Sequence, residues 1–160
     1  MNQHTDSSAH AAPDWANGRK VMVGDMFLGL YQPSPETTGY WRGVERGELL
    51  FKHCTECGKS HHPRRMLCSA CNSSQLTWVP ASGHGKVYSF SEVHRAPSPA
   101  FQTGTPYTVG LIETAEGVHF FCRIVAAAGA KIAIDAAARL EFQVLENGYS
   151  LPVFVVDKSA

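Results

Sequence analysis

The rhythm of apolar and polar positions changes along the chain. Tyr40, Trp41, Val44 and Leu49 recur at roughly helical spacing after Pro33. Ser34, Pro35 and Glu36 supply an N-cap, a first-turn proline and an acidic residue, so the pattern predicts a short helix opening at Pro35. Gly47 interrupts it, and Leu49-Leu50-Phe51 reads as the start of a strand. After residue 80 the chain becomes β-rich, and two of its segments, 118–125 and 140–145, alternate with a period of two. Residues 86–94, 107–113, 118–125, 140–145 and 151–156 read as strands, with Val118, Phe120, Cys122 and Ile124 on one face. Gly83 and Gly85 predict a bulge or a close backbone approach at the first of them. Asn147-Gly148 is a hairpin signal. Five strands over this span fit a five-stranded Greek-key barrel, the OB-fold. The alanine-rich stretch 126–139 is open to two readings: a short helix, or an extended lid in which Ile132-Ala133-Ile134 covers one barrel end.

Between helix and barrel lie two CxxC pairs, Cys54-Thr-Glu-Cys57 and Cys68-Ser-Ala-Cys71, separated by ten residues. Each is followed by a turn former, Gly58 or Asn72. A CxxC turn converges two sulfurs, and two such turns supply the four thiolates of a closed tetrahedral zinc site. Four thiolates leave no position for a water, so this metal is expected to be structural. A short ribbon of the rubredoxin type fits the spacing. Paired disulfides would need an oxidising compartment, and residues 1–20 carry no apolar run that reads as a signal peptide. A redox CxxC would sit at a helix start after a buried strand, whereas both flanks here read as loops. The chain is read as cytoplasmic. Cys122, inside an apolar strand, is expected to be a small buried hydrophobe.

Composition narrows the function classes. The 160 residues carry 14 basic and 14 acidic side chains, a formal net charge of zero. That balance opposes a protein whose main partner is nucleic acid, and no apolar run approaches a membrane span. Residues 1–32 are read as a flexible tail with an apolar segment at 21–31 that either packs along the domain or docks on another subunit. Residues 33–80 form the helix and zinc ribbon, and 81–157 the OB-fold domain. The fold class is therefore mainly β: an N-terminal helix, a rubredoxin-like zinc ribbon, then a five-stranded barrel.

No catalytic constellation stands out. Four of the five cysteines are assigned to metal, and no carboxylate pair reads as acid and base. His61 and His62, between the knuckles, are expected to face solvent or a partner. His94 and Arg95 read either as a satisfied strand end or as contacts for a CoA phosphate or a partner carboxylate. Lys59, Arg64 and Arg65 read as a solvated face or as contacts for an acidic partner or CoA. Tyr40-Trp41 needs a surface to cover, the ribbon or a partner. Tyr88, Phe90 and Phe121 could stack bases if the barrel bound single strands.

These motifs, in order, resemble a known family. Tyr40-Trp41, Gly47-Glu48-Leu49, the ribbon from Cys54 to Cys71, Ser82-Gly83-His84-Gly85-Lys86-Val87-Tyr88-Ser89-Phe90, Pro106-Tyr107 with Val109, and Glu116-Gly117-Val118 match bacterial and archaeal proteins that join a rubredoxin-like zinc ribbon to an OB-fold. That family was first defined as a domain of unknown function. The resemblance covers about residues 33 to 157. It implies an acyl-CoA-associated accessory subunit in a hetero-oligomer with a thiolase-like enzyme, whose partner carries the nucleophilic cysteine. On that reading the chain has no catalytic residue of its own. It supports acyl transfer or carbon–carbon bond formation or cleavage, holds structural Zn²⁺ on Cys54, Cys57, Cys68 and Cys71, and meets acyl-CoA through the complex. The alternatives are a single-stranded nucleic-acid-binding module and a stand-alone acyl-CoA-binding protein. The chain departs from the family pattern at Arg64, where a second proline is usual, and at Asp135, where a glycine is expected before the fourth barrel strand.

Overall fold

A computed structural model describes residues 34, 36–95, 105–144 and 150–158, with the backbone of 22–23 and 26–27. Strands β1 (Met22–Val23) and β2 (Met26–Phe27) pair antiparallel. The rest of the tail, including the remainder of its apolar docking segment, residues 96–104 and Asn147-Gly148 lie outside the described residues.

Helix α1 spans Thr38–Glu45. It opens one turn later than Pro35, because the Ser34 carbonyl is spent on a preceding turn. That oxygen accepts the Thr37 N–H at 2.9 Å and the Thr38 hydroxyl at 3.1 Å. Thr37 takes the N-cap position without a side-chain cap bond. The helix reaches its neighbours through glycine. A Cβ at Gly39 would lie 2.3 Å from Trp78 Cε2, and one at Gly43 would lie 2.6 Å from Leu50 Cγ.

The ribbon is a three-stranded antiparallel sheet in the order β4 (Ser60–His61), β3 (Leu50–Cys54), β5 (Leu76–Pro80). The barrel follows from β6 (His84–Val93), β7 (Tyr107–Thr114), β8 (His119–Ala126), β9 (Ala137–Val144) and β10 (Ser150–Val156). It closes in the order β10-β8-β7-β6-β9, with only β8 and β10 parallel among its pairs. This is the OB-fold topology. The predicted face of β8 points inward, with Phe120 and Ile124 buried and Cys122 half-buried. Tyr88 sits at a register shift between Val87 and Ser89, a bulge three residues beyond the glycines where one was expected. Gly85 makes the close approach, since a Cβ there would lie 2.7 Å from the Glu113 carbonyl oxygen.

Ribbon and barrel share one core. Leu49 and Phe51 cluster with Val87, Ile112, Phe120, Ile124, Phe154 and Val156. Tyr40 packs against this cluster and stacks on Phe120, with ring centroids 6.4 Å apart. Tyr40 therefore covers the protein's own barrel, and Trp41 lies edge-on to Tyr40 at 5.0 Å.

No helix forms in the alanine-rich stretch. Gly129 (φ 78°) and Asp135 (φ 63°) both adopt left-handed backbone, which a right-handed helix excludes. The Asp135 N–H donates to the Val87 carbonyl at 2.8 Å, and the Val87 N–H donates to Ala136 at 2.9 Å. The segment is thereby tied to β6. Ile132 packs on the core while Ile134 stays exposed, so the lid reading holds for Ile132 alone.

Candidate metal centre

The two knuckles are built alike, fourteen residues apart. The Cys54 N–H donates to the Lys59 carbonyl and the Cys68 N–H to Ser73, each at 2.9 Å. The Gly58 N–H returns to Cys54 O at 2.9 Å, and the Asn72 N–H to Cys68 O at 3.0 Å. Gly58 (φ 76°) and Asn72 (φ 61°) close these turns in the left-handed region, where glycine and asparagine are tolerated best.

Their sulfurs converge. The Sγ atoms of Cys54, Cys57, Cys68 and Cys71 all lie within 4.8 Å of one another. Cys54 and Cys71 are 3.6 Å apart, and Cys57 and Cys68 are 3.4 Å apart. Four thiolates bound at about 2.3 Å to a tetrahedral ion would stand about 3.8 Å from each other. The donor set therefore fits Zn²⁺.

The electrostatics agree. The Ser73 N–H draws the Cys71 thiol down, but burial and the sulfurs of Cys57, Cys68 and Cys54 push it up to about 12. Burial pushes Cys68 up, yet the N–H groups of Cys71 and Ala70, the Cys57 sulfur and His61 bring it down to about 5. Four negative sulfurs at this separation need a cation between them, and a divalent ion supplies it.

His61 corrects the expectation that both inter-knuckle histidines face outward. It is 5 % exposed, and its Nε2 lies 3.2 Å from Cys68 Sγ. The pairing of β4 with β3, which sets His61 opposite Lys52, turns the ring inward. A two-residue strand leaves no readable period, so sequence alone gave no such signal. His62 is exposed at its edge, with its ring 5.7 Å from Phe120. Sequence reading also passed over Lys52, which is buried, lies 4.9 Å over Trp78 and donates from Nζ to the Arg65 carbonyl at 2.7 Å. That bond pins the loop bearing Arg64 and Arg65, whose side chains are exposed, as is Lys59.

The remaining candidates lie apart from the sulfurs. His94 Nε2 sits 3.5 Å from Glu92 Oε2, a strand-end pair in solvent. Arg95 is exposed. Burial pushes the Cys122 thiol up to about 12, against a hydrogen bond from the Phe154 backbone, so it is a poor nucleophile. On the barrel exterior Phe121 is 70 % exposed, and Tyr88, 54 % exposed, meets His119 edge-on at 4.6 Å. Phe90 is also exposed.

A four-cysteine ribbon sharing one core with an OB barrel defines the class: zinc-ribbon and OB-fold proteins. Family models match both parts, the ChsH2 rubredoxin-like zinc ribbon domain over residues 41–77 and the ChsH2 C-terminal OB-fold domain over 78–143. The chain belongs to this ChsH2 (DUF35) family.

The probable enoyl-CoA hydratase alpha subunit of Thermomonospora curvata is 32% identical over 115 residues, 72% of this chain and 35% of that protein. A DUF35 domain-containing scaffold protein of Methanocaldococcus jannaschii is 37% identical over 87 residues, 53% of this chain and 61% of its own length. The benzoylsuccinyl-CoA thiolase subunit BbsA of Thauera aromatica is 33% identical over 78 residues, 48% of this chain and 51% of that subunit. The chain thus spans less than two thirds of each of these relatives. Among solved structures, a chain of the Ltp2-ChsH2(DUF35) aldolase is 30% identical with a TM-score of 0.69, over 78% of this chain and 96% of that one.

Proposed function

We propose that this chain is a non-catalytic accessory subunit that binds structural zinc and assembles with a thiolase-superfamily enzyme. The complex supports acyl transfer, or formation or cleavage of a carbon–carbon bond, on acyl-CoA substrates. The observation that carries the reading is the likeness to a chain of the Ltp2-ChsH2(DUF35) aldolase, which extends over 96% of that chain. The name of BbsA, a thiolase subunit, points the same way.

The chain's own chemistry is consistent with an accessory role. A closed set of four thiolates has no open position for water or substrate, so bound Zn²⁺ would supply folding energy and no Lewis acid. The remaining cysteine is held protonated in the barrel wall. Domain limits at 33–80 and 81–157 are part of the same proposal.

The exposed Tyr88, Phe90 and Phe121 keep one second reading open, single-stranded nucleic-acid binding. The purified full chain separates the readings. It should neither shift oligonucleotides at low salt nor turn over acyl-CoA alone, and it should raise the turnover of its thiolase-like partner when added back. A partner equally active without it would contradict the proposal, and a shifted oligonucleotide would favour the nucleic-acid reading.

A further inference from the structure

His61 lies beside the metal centre without belonging to the four-atom donor set. Its ring is buried, and a buried imidazole without a polar partner is costly. Its Nε2 has the Cys68 sulfur at 3.2 Å. A metal-bound thiolate has no proton to give, so the hydrogen bond runs from the His61 N–H to sulfur.

Backbone N–H groups face sulfurs of both knuckles: Lys59 toward Cys57, Ser73 toward Cys71, and Ala70 toward Cys68 at 3.4 Å. His61 adds a side chain to this set of backbone donors. It stands seven residues before Cys68, and the corresponding position before Cys54 is Gly47, which has no side chain. The second knuckle thus has a side-chain donor where the first has none from the corresponding position.

We infer that His61 is a positioning residue of the zinc centre, its Nε2–H fixing the Cys68 thiolate and drawing charge from a site that carries a net −2 when filled. This rests on the zinc reading. A sulfur that accepts this bond is a weaker base and a weaker nucleophile, so it stays on the metal. Neighbouring donors of this kind commonly change metal affinity by about 10–100-fold.

The test uses the full chain and two substitutions. His61→Leu keeps an apolar side chain in the buried site and removes the donor. His61→Gln can place an amide N–H near the Nε2 position. Loaded with Co²⁺, the wild-type chain should show sulfur-to-cobalt charge-transfer bands. These should move to lower energy in His61→Leu and stay near the wild-type position in His61→Gln. Zn²⁺ transfer to a chromogenic chelator should be roughly tenfold or more faster for His61→Leu, and close to wild type for His61→Gln. Equal transfer rates and equal spectra for the two variants, fast or slow, would overturn the role of the N–H donor while leaving the zinc site standing. A wild-type chain with no thiolate–cobalt bands would overturn the zinc reading, and this inference with it.

Discussion

Glu116 Oε1 accepts the backbone N–H of Ser82 at 2.7 Å, across 34 residues of sequence. The bond joins the turn between β7 and β8 to the turn that opens β6. Two motifs that are separate along the chain, Ser82-Gly83-His84-Gly85 and Glu116-Gly117, are therefore one device at the end of the barrel. Burial pushes the Glu116 carboxyl up, but the Ser82 N–H and hydroxyl, with the Glu116 N–H and Thr114, outweigh it and hold it below its ordinary value of 4.5.

Because the folded value is the lower one, the stabilisation is complete above pH 4.5 and is lost as pH falls through the folded value. Glu116→Ala should cost about 2 kcal/mol at neutral pH. In denaturant titrations the gap between wild type and variant should shrink on acidification. The difference between the two proteins cancels the shared protonation of the cysteines. A gap that persists unchanged well into acid would count against this account.

Gly39 lets α1 lie directly on the Trp78 ring, with 2.3 Å between a hypothetical Cβ and Cε2. Alanine normally favours a helix over glycine by about 1 kcal/mol. Here the rigid indole must move, at a typical cost of about 1–3 kcal/mol. Gly39→Ala should therefore lower the melting temperature, with a change in tryptophan fluorescence. A rise in melting temperature would mean that the helix sits farther from the ribbon.

Asp135 holds φ at 63°, where the family pattern expects glycine. Its carboxylate is 3.4 Å from Lys86 Nζ, an exposed pair of small value. Backbone conformation should decide the outcome. Asp135→Gly should be neutral or stabilising by a few tenths of a kcal/mol, and Asp135→Ala destabilising by about 1 kcal/mol. Equal stability of the two variants would contradict the ranking.

Removal of the metal should reach beyond the ribbon, because Leu49 and Phe51 share a core with Val87 and Phe154. Structural zinc commonly contributes on the order of 10 kcal/mol to such folds. Cys57→Ser, or a strong chelator, should unfold the ribbon, lower the barrel's melting temperature and abolish partner binding. Circular dichroism melts and size exclusion with the partner check this. A Cys57→Ser chain that still assembles fully would sink it.

The legible parts were those set by local pattern. β-rich segments bounded by turn signals marked all five barrel strands, two of them by alternation, and the CxxC spacing marked the four sulfurs that meet within 4.8 Å. At Asp135, where the family pattern has glycine, the backbone still takes the positive φ that a glycine would favour. What escaped was set by distant contacts. The inward turn of His61 depends on pairing with Lys52. The missing helix in 126–139 depends on hydrogen bonds to Val87, which override the propensity of alanine. The start of α1 moved because Ser34 bonds Thr37 and Thr38 in a turn of its own.

The most direct test of the accessory-subunit account is the native mass of the tagged full chain isolated gently from its host. The account predicts a hetero-oligomer containing a stoichiometric thiolase-like subunit and one zinc per copy of this chain. A zinc-loaded chain that travels alone at low salt would contradict it.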